Sequence, residues 1–483
     1  MKLIIKDSFY LTLSKGIRTI SLLILTMLAS RYLTLDENGD FRKLNLLLTL
    51  SLLIIPWGIP ITVSYYYKNL SKKSKDELFS NSLFLSFIQC AVFSLIVGLI
   101  FLNVHFLQNK LDVYTIILFI VQLIITVTFA FIENFFVSSN NSKSLSIVNI
   151  IVYSIQTILV TICLITTQSL VVLISVTSII EIFKNFILIG IFTKKYRPKM
   201  KLNRKLMHEQ FIYSFPIGIN SVIQTVNIYI DGLFVALLFT SSDYAIYSAG
   251  SMQIPLISII TVTLSTVALP EMSKIYHDNG NIKTMVEIWA NITIVGAIII
   301  FPVFWALLFF HKGYIEIVFS EKFFDSIPIF LIYLLKLPLS CTTFSNILLV
   351  LGKQKSIVVN SSIAITVNTI LSYILLNIIG IEGAAISSLI MHVLIIILQL
   401  KQTSKYTNIG IRKLLPYKEL LVILFYPGCI FLLLFIGSSI LVGDSENIIS
   451  FLIFSLLGII ITFLIYYKRG FIRKGLFRKK QLS

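Results

Sequence analysis

The run IVNIIVYSIQTILVTICLITTQSLVVLISVTSIIEIFKNFILIGIFTKKYRPKMKLNRK, Ile147–Lys205, decides the fold. Two apolar stretches, Ile147–Thr166 and Leu170–Phe192, are separated by three uncharged residues, and the loop after the second holds seven Lys/Arg. A hydrocarbon core of about 30 Å needs about 20 residues at a helical rise of about 1.5 Å, so each stretch is a bilayer span. The uncharged turn and the basic loop then belong on opposite faces of a membrane.

Outward from this hairpin the pattern repeats along the chain. Further spans are Tyr10–Leu33, Leu44–Tyr67, Phe79–Leu102, Tyr114–Val137 and Phe211–Phe239. After these come Ile246–Leu269, Trp289–Phe310, Ile327–Leu351, Ile357–Ile379, Ala384–Leu400, Leu420–Leu441 and Ile448–Tyr466. With 57% hydrophobic residues and a mean hydropathy of +0.92, little of the chain is left for anything else. The expectation is an all-α, polytopic membrane protein with about 14 transmembrane helices.

Charge placement orients it. The net charge of +18 comes from 40 Lys+Arg against 22 Asp+Glu. Thirty of the 40 basic residues fall on one set of alternating segments, 5 on the other, and 5 inside spans. That is the positive-inside bias, which puts both termini of a multi-pass membrane protein in the cytoplasm. The same distribution removes a nucleic-acid footprint as an explanation: no nucleic-acid partner is expected. The basic segments Lys194–Lys205 and Lys468–Lys480 are placed on anionic membrane lipids.

Absences narrow the class further. The first span carries Lys15, Arg18 and Arg31 and no small-residue cleavage site, so no cleavable signal is expected. Cys90, Cys163, Cys341 and Cys429 all fall in spans and read as free thiols, with no disulfide and no metal site. Gly352-Lys353-Gln354-Lys355-Ser356 lacks the upstream glycine of a phosphate-binding loop, and the five histidines have no paired spacing. No cofactor is expected. The longest outer loop, His311–Ser326, is too short to carry a catalytic domain, which favours transport over enzymatic chemistry.

The basic loop divides the chain into an expected first lobe of six helices (1–198), a second of six (199–405) and a final helix pair with a basic tail (406–483). Spans 1 and 7 are each followed by an acidic residue and an aromatic, Asp40-Phe41 and Asp243-Tyr244, as a faint internal repeat.

Four segments carry a resemblance. SAGSMQIPLISIITVTLSTVALPEMSKIY (Ser248–Tyr276) is similar to helix 8 of the bacterial polysaccharide flippases, and IEIVFSEKFFDSIPIFLIYLLKLPL (Ile315–Leu339) to the segment leading into their helix 10. GKQKSIVVNSSIAITVNTILSYILLNIIGIEGAAISSLI (Gly352–Ile390) resembles a pattern of a basic turn, an Asn-containing helix and a small-residue cluster. SRYLTLDENGDF (Ser30–Phe41) resembles a motif after helix 1, from which Leu35 and Asp40 depart. The family is that of the Wzx-like lipid-linked oligosaccharide flippases, related to the MATE exporters and the MurJ flippases in the MOP superfamily. The resemblance implies two six-helix lobes around a central cavity, with alternating access.

Charged groups inside spans cost about 2.5–3.5 kcal/mol each on insertion scales and default to functional candidates. They are Lys15, Arg18, Arg31, Glu133, Glu181, Lys184, Asp231 and Lys336. Lys15 and Arg31 can also snorkel to a boundary, and Glu133 sits near an inner end. On span 7, Asn220, Gln224, Asn227 and Asp231 are spaced four, three and four apart and form one polar stripe, for lining a cavity or for joining helices by hydrogen bonds. Lys336 lies nine residues, about 14 Å, into span 10, with Pro338 inviting a kink. Asp231 is a candidate partner for it. Glu181 and Lys184, three apart, can pair with each other or share a role in the first lobe.

The substrate-binding candidates are thus Arg18, Arg31, Asn220, Gln224, Asn227 and Lys336, and the ion-coupling candidates Asp231, Glu181 and Lys184. Together with the resemblance they imply a flippase for an undecaprenyl-diphosphate-linked oligosaccharide unit of surface polysaccharide, with a polymerase and glycosyltransferases as possible partners. The alternatives are a flippase for a lipid II-type precursor, a MATE-like multidrug exporter, whose cavity would favour acidic groups, and last a membrane glycosyltransferase or polymerase.

Overall fold

The computed structural model describes residues 2–67, 70–103, 111–442 and 447–471. Their regular structure is helical, with no strand among the described residues. Contacts divide the chain into two compact units, 1–245 and 246–483. The first holds α1 (Lys2–Tyr32), α2 (Leu35–Ile54), α3 (Ile59–Tyr66), α4 (Lys72–Asn103), α5 (Val113–Thr128), α6 (Ile132–Ser138), α7 (Ser142–Thr167), α8 (Leu170–Tyr196) and α9 (Arg204–Leu238). The division falls within α10 (Ser241–Gly250). The second holds α11 (Pro255–Asn279), α12 (Ile282–Phe309), α13 (His311–Val318), α14 (Ile327–Leu334), α15 (Asn346–Val350), α16 (Gln354–Ile379), α17 (Ile381–Thr407), α18 (Ile411–Leu414), α19 (Tyr417–Val442) and α20 (Ile448–Lys468).

All fourteen apolar stretches fall on these helices. Among the described residues, ten helical spans are by length and composition apolar enough to cross a membrane, or up to 12 if two bent pairs each count as one. The protein is a multi-pass, all-α membrane protein.

Several spans are broken. The stretch 44–67 bends by 41° between α2 and α3. There Trp57 and Gly58 take φ of 42° and 79°, and Gly58 caps α3 ahead of Pro60. A tryptophan in the left-handed region is strained, so the surrounding packing must hold it. It does so through Gly218 of α9, where an added Cβ would run into the indole. The stretch 246–269, expected as one helix, is two: α10 ends at Gly250, and α11 starts with Pro255 at its first position, because proline cannot accept a helix from its N-terminal side without losing a hydrogen bond. Span 10 bends by 47° between Leu334 and Pro338, where a kink is expected.

The expected lobe boundary also differs from the contact division. Loop 199–203 and α9, expected to open the second lobe, belong to the first compact unit. Gln210 Nε2 donates to Thr62 Oγ1 (3.0 Å) and Ser82 Oγ (2.7 Å), and Asn203 is laced to Asn81 and Glu77 of α4.

The acidic positions of the expected repeat differ in their contacts. Thr34 and Glu37 form a capping box at α2, with Thr34 N–H donating to Glu37 at 3.0 Å and Glu37 N–H to Thr34 Oγ1 at 3.3 Å. At α10 the same reciprocal pair is Thr240 and Asp243, at 3.2 and 3.1 Å. Asp243 therefore matches Glu37, not Asp40. Asp40 is instead buried and accepts from the Ser241 hydroxyl, while Gly39 lets the α2 backbone approach the Ser241 carbonyl closer than any side chain would permit.

Lipid tails give helices little hydrophobic reason to associate, so close packing and interhelical hydrogen bonds hold them. α16 and α17 meet at Gly383, Ala384 and Ala385, with Ser372 and Ser387 hydroxyls 2.5 Å apart across the seam. α1 and α7 pair through Ser14–Ser146 (3.4 Å) and Ser21 donating to the Tyr153 carbonyl (3.1 Å). Both partners advance seven residues, so α1 and α7 run parallel, as first and fifth spans must.

Candidate functional site

Unit 1 carries a charged cluster inside its spans. Lys184 Nζ of α8 lies 2.5 Å from Glu181 Oε2, one turn earlier, and the two side chains are 6% and 15% exposed. Tyr153 of α7 closes the group: its hydroxyl donates to Glu181 Oε1 at 3.3 Å and accepts from Lys184 Nζ at 3.2 Å. The Arg18 guanidinium of α1 sits 5.5 Å from the centre of the same ring. Parallel packing of α1 on α7 puts Ser21 on the Tyr153 carbonyl and Thr157 on Ser21 (2.7 Å), which fixes the register that brings Arg18 there.

Arg18 differs from the other members. Glu181 and Lys184 neutralise each other, whereas Arg18 is exposed and has no carboxylate within 4.0 Å among the described residues. It stands nine residues past Phe9, the start of the span, hence about 14 Å along it. A guanidinium at that depth is tolerated only where it faces a water-filled cavity or an anion. Glu133, at the first turn of α6, is close enough to act electrostatically on both Arg18 and Lys184. Arg31, in contrast, occupies the last turn of α1, where a cation complements the helix dipole and reaches the boundary.

The α9 stripe changes character along its length. Asn220 and Gln224 are exposed, Asn227 is half-buried with its Oδ1 lacking a hydrogen-bond partner, and Asp231 is 2% exposed. Three amides thus offer hydrogen-bonding capacity on one face, leading to a buried carboxylate.

In unit 2, Lys336 occupies the unwound turn after α14. Its Nζ donates to Ser388 of α17 at 2.6 Å and lies 3.8 Å from the centre of the Tyr333 ring. The Tyr333 hydroxyl pairs with that of Tyr247 at 2.8 Å, and the buried Nε2 of His392, one turn beyond Ser388, has no hydrogen-bond partner. Transporter ligand sites commonly lie where spans break, and here the break places a cation beside the C-terminal end of α14, whose dipole favours it.

Sequence reasoning missed Tyr153, Tyr333, Ser388 and His392. Only the fold assembles their partners. The described residues hold no group of three or more His, Cys, Asp or Glu suited to a metal ion.

These features describe an all-helical, multi-pass membrane protein with broken spans and charged groups within them. The chain resembles the lipid II flippase MurJ in an inward closed conformation with a TM-score of 0.74 at 17% identity, over 95% of this chain and 99% of that one. It also resembles an inward-facing multidrug resistance MATE transporter of the MOP superfamily (0.57, 11%, 82% and 95%). A MOP superfamily transporter from Pyrococcus furiosus, described by a binding pocket of reverse polarity, is similar too (0.54, 11%, 85% and 96%). Residues 4–276 match the family described as polysaccharide biosynthesis protein, and the chain belongs to that family. No curated protein matches it.

Proposed function

We propose that the protein is a flippase, carrying an undecaprenyl-diphosphate-linked oligosaccharide unit from the inner to the outer leaflet of a bacterial cytoplasmic membrane by alternating access of two six-helix lobes. The observation that carries this reading is Arg18: an exposed guanidinium inside a span, held over Tyr153, with no carboxylate within 4.0 Å among the described residues. Its planar fork suits a diphosphate oxygen pair, which a lysine would bind only as a point charge. Membership of the polysaccharide biosynthesis family supports a saccharide cargo, and the fold shared with a lipid II flippase supports a lipid-linked one.

In this reading Lys336 is the second cation for the headgroup, and Asn220, Gln224 and Asn227 hydrogen-bond sugar hydroxyls. Arg31 contacts the cargo near the outer boundary. Asp231 binds the coupling ion, with Glu181 and Lys184 as the charge pair that responds to it. The polyprenyl tail stays in lipid.

The test is reconstitution into proteoliposomes with a short undecaprenyl-diphosphate-linked oligosaccharide, read by lectin access to the outer leaflet. Protein-dependent transfer that Arg18→Gln abolishes is expected. No transfer by the native chain, or equal transfer of a cationic drug, rejects the reading.

A further inference from the structure

The geometry points to a binding site for one anionic phospholipid of the inner leaflet along α4, made of a cationic pocket for the headgroup and an apolar groove for an acyl chain.

α4 presents Lys72, Lys75, Asp76, Phe79, Ser80, Leu83, Phe84 and Phe87 at spacings of three, one and three that repeat along one gradually turning face. The first four residues line a pocket of about 250 Å³, walled by Tyr67, Phe135, Phe192 and Tyr196. Lys75 is half-buried with its Nζ 4.5 Å from the centre of the Tyr67 ring, and Lys72 lies exposed at the rim. Two lysines outnumber the single carboxylate, Asp76. The last four residues line a groove of about 660 Å³ against Ile124, Ile125 and Phe129 of α5, and it is almost wholly apolar.

One segment borders both compartments. Pro198 lines the first, and Met200–Leu202 line the second. This strap is fixed to α4 by Lys201 N–H donating to Ser80 Oγ (3.0 Å) and by the paired amides of Asn203 and Asn81 (3.0 and 3.1 Å). It brings Lys199 and Lys201 to the junction, in the loop with seven Lys/Arg.

The order along α4 selects the occupant. Cationic residues occupy the first turn, at the end flanked by basic inner segments, and the apolar groove follows along the span. A phospholipid of the inner leaflet has that order from phosphate to chain, and juxtamembrane lysines attract anionic headgroups over zwitterionic ones. The proposal does not rest on the flippase reading, since the site involves neither Arg18 nor Lys336.

Native mass spectrometry of the full chain released from vesicles of phosphatidylglycerol and phosphatidylcholine tests it. The expected result is one phosphatidylglycerol retained per protein in preference to phosphatidylcholine. Lys72→Gln and Lys75→Gln each weaken retention about fivefold, the equivalent of ~1 kcal/mol per lysine. Leu83→Trp, which fills the groove and leaves the charges in place, removes the adduct, whereas Arg412→Gln/Lys413→Gln on another basic loop leaves it. Equal retention of the two lipids, retention unaffected by the α4 variants, or displacement by undecaprenyl phosphate in preference to phosphatidylglycerol overturns the proposal.

Discussion

The Arg18 guanidinium of α1 lies 5.5 Å from the centre of the Tyr153 ring of α7, and that ring's hydroxyl bridges Glu181 and Lys184. The ring thus has two faces of work: its edge completes an ion pair, and its π surface orients a cation with no carboxylate within 4.0 Å among the described residues. A cation over an aromatic face gains about 0.5–2 kcal/mol, enough to set a guanidinium's direction without neutralising it.

Tyr153→Phe and Tyr153→Leu separate those functions. The Phe variant keeps the π face and loses the hydroxyl; the Leu variant loses both. If orientation of Arg18 matters to transport, Leu should slow flipping by about 2- to 30-fold beyond Phe, matching the cation–π range. Arg18→Lys should recover only part of the native rate, because the fork is lost. Transfer rates in proteoliposomes, normalised to inserted protein, decide it, and equal rates for Phe and Leu would remove the orienting role.

The Glu181–Lys184 pair makes a different prediction. Removing one partner of a buried pair leaves an uncompensated charge and costs about 3–5 kcal/mol, whereas removing both is far milder. Glu181→Gln and Lys184→Met should each lower thermal stability in detergent, and the double variant should regain most of the loss. A double variant as unstable as the sum of the singles would show that the two act separately.

The spans were legible in the sequence because each is a long apolar run between polar breaks, and Glu181 with Lys184 because an i,i+3 pair needs no tertiary information. The breaks were legible only in part. Pro338 and the Pro56-Trp57-Gly58-Pro60 run announce bends, but the break before Pro255 lies inside an apolar stretch whose hydropathy does not change there. Capping geometry, not residue order, pairs Glu37 with Asp243. Tyr153 and Ser388 escaped notice because a hydroxyl in a span is ordinary until a cation from another helix reaches it.

Lys336 tests the second unit. Its contacts with Ser388 (2.6 Å) and the Tyr333 ring hold it at a helix break. A hydrogen bond to a charged group contributes about 1.5–3 kcal/mol. Ser388→Ala should therefore impair flipping about 10- to 150-fold if Lys336 must be held in place for the headgroup, and Lys336→Gln should impair it at least as much. Asp231→Asn, close to isosteric but uncharged, should spare cargo binding while abolishing any dependence of transfer on an ion gradient. Native transport by Lys336→Gln at normal abundance would exclude Lys336 from the cargo path, and an unchanged gradient dependence in Asp231→Asn would exclude coupling there.

Orientation in the membrane is the most direct check. The contacts Ser14–Ser146 and Ser21–Tyr153 make α1 and α7 parallel, so the first and fifth spans cross the membrane in the same direction. The absolute direction rests on the charge bias, 30 basic residues against 5. Single cysteines test it once the native thiols are replaced, Cys429 above all, since it is exposed, unlike buried Cys90 and Cys341. A cysteine at Ser242, in the first turn of α10, should react with an impermeant maleimide in intact cells. One at Lys199, in the exposed basic loop before α9, should react only after permeabilisation. The two positions flank a single span, so they must label from opposite sides, and labelling with the sides exchanged would invert the topology and place the α4 lipid site in the outer leaflet.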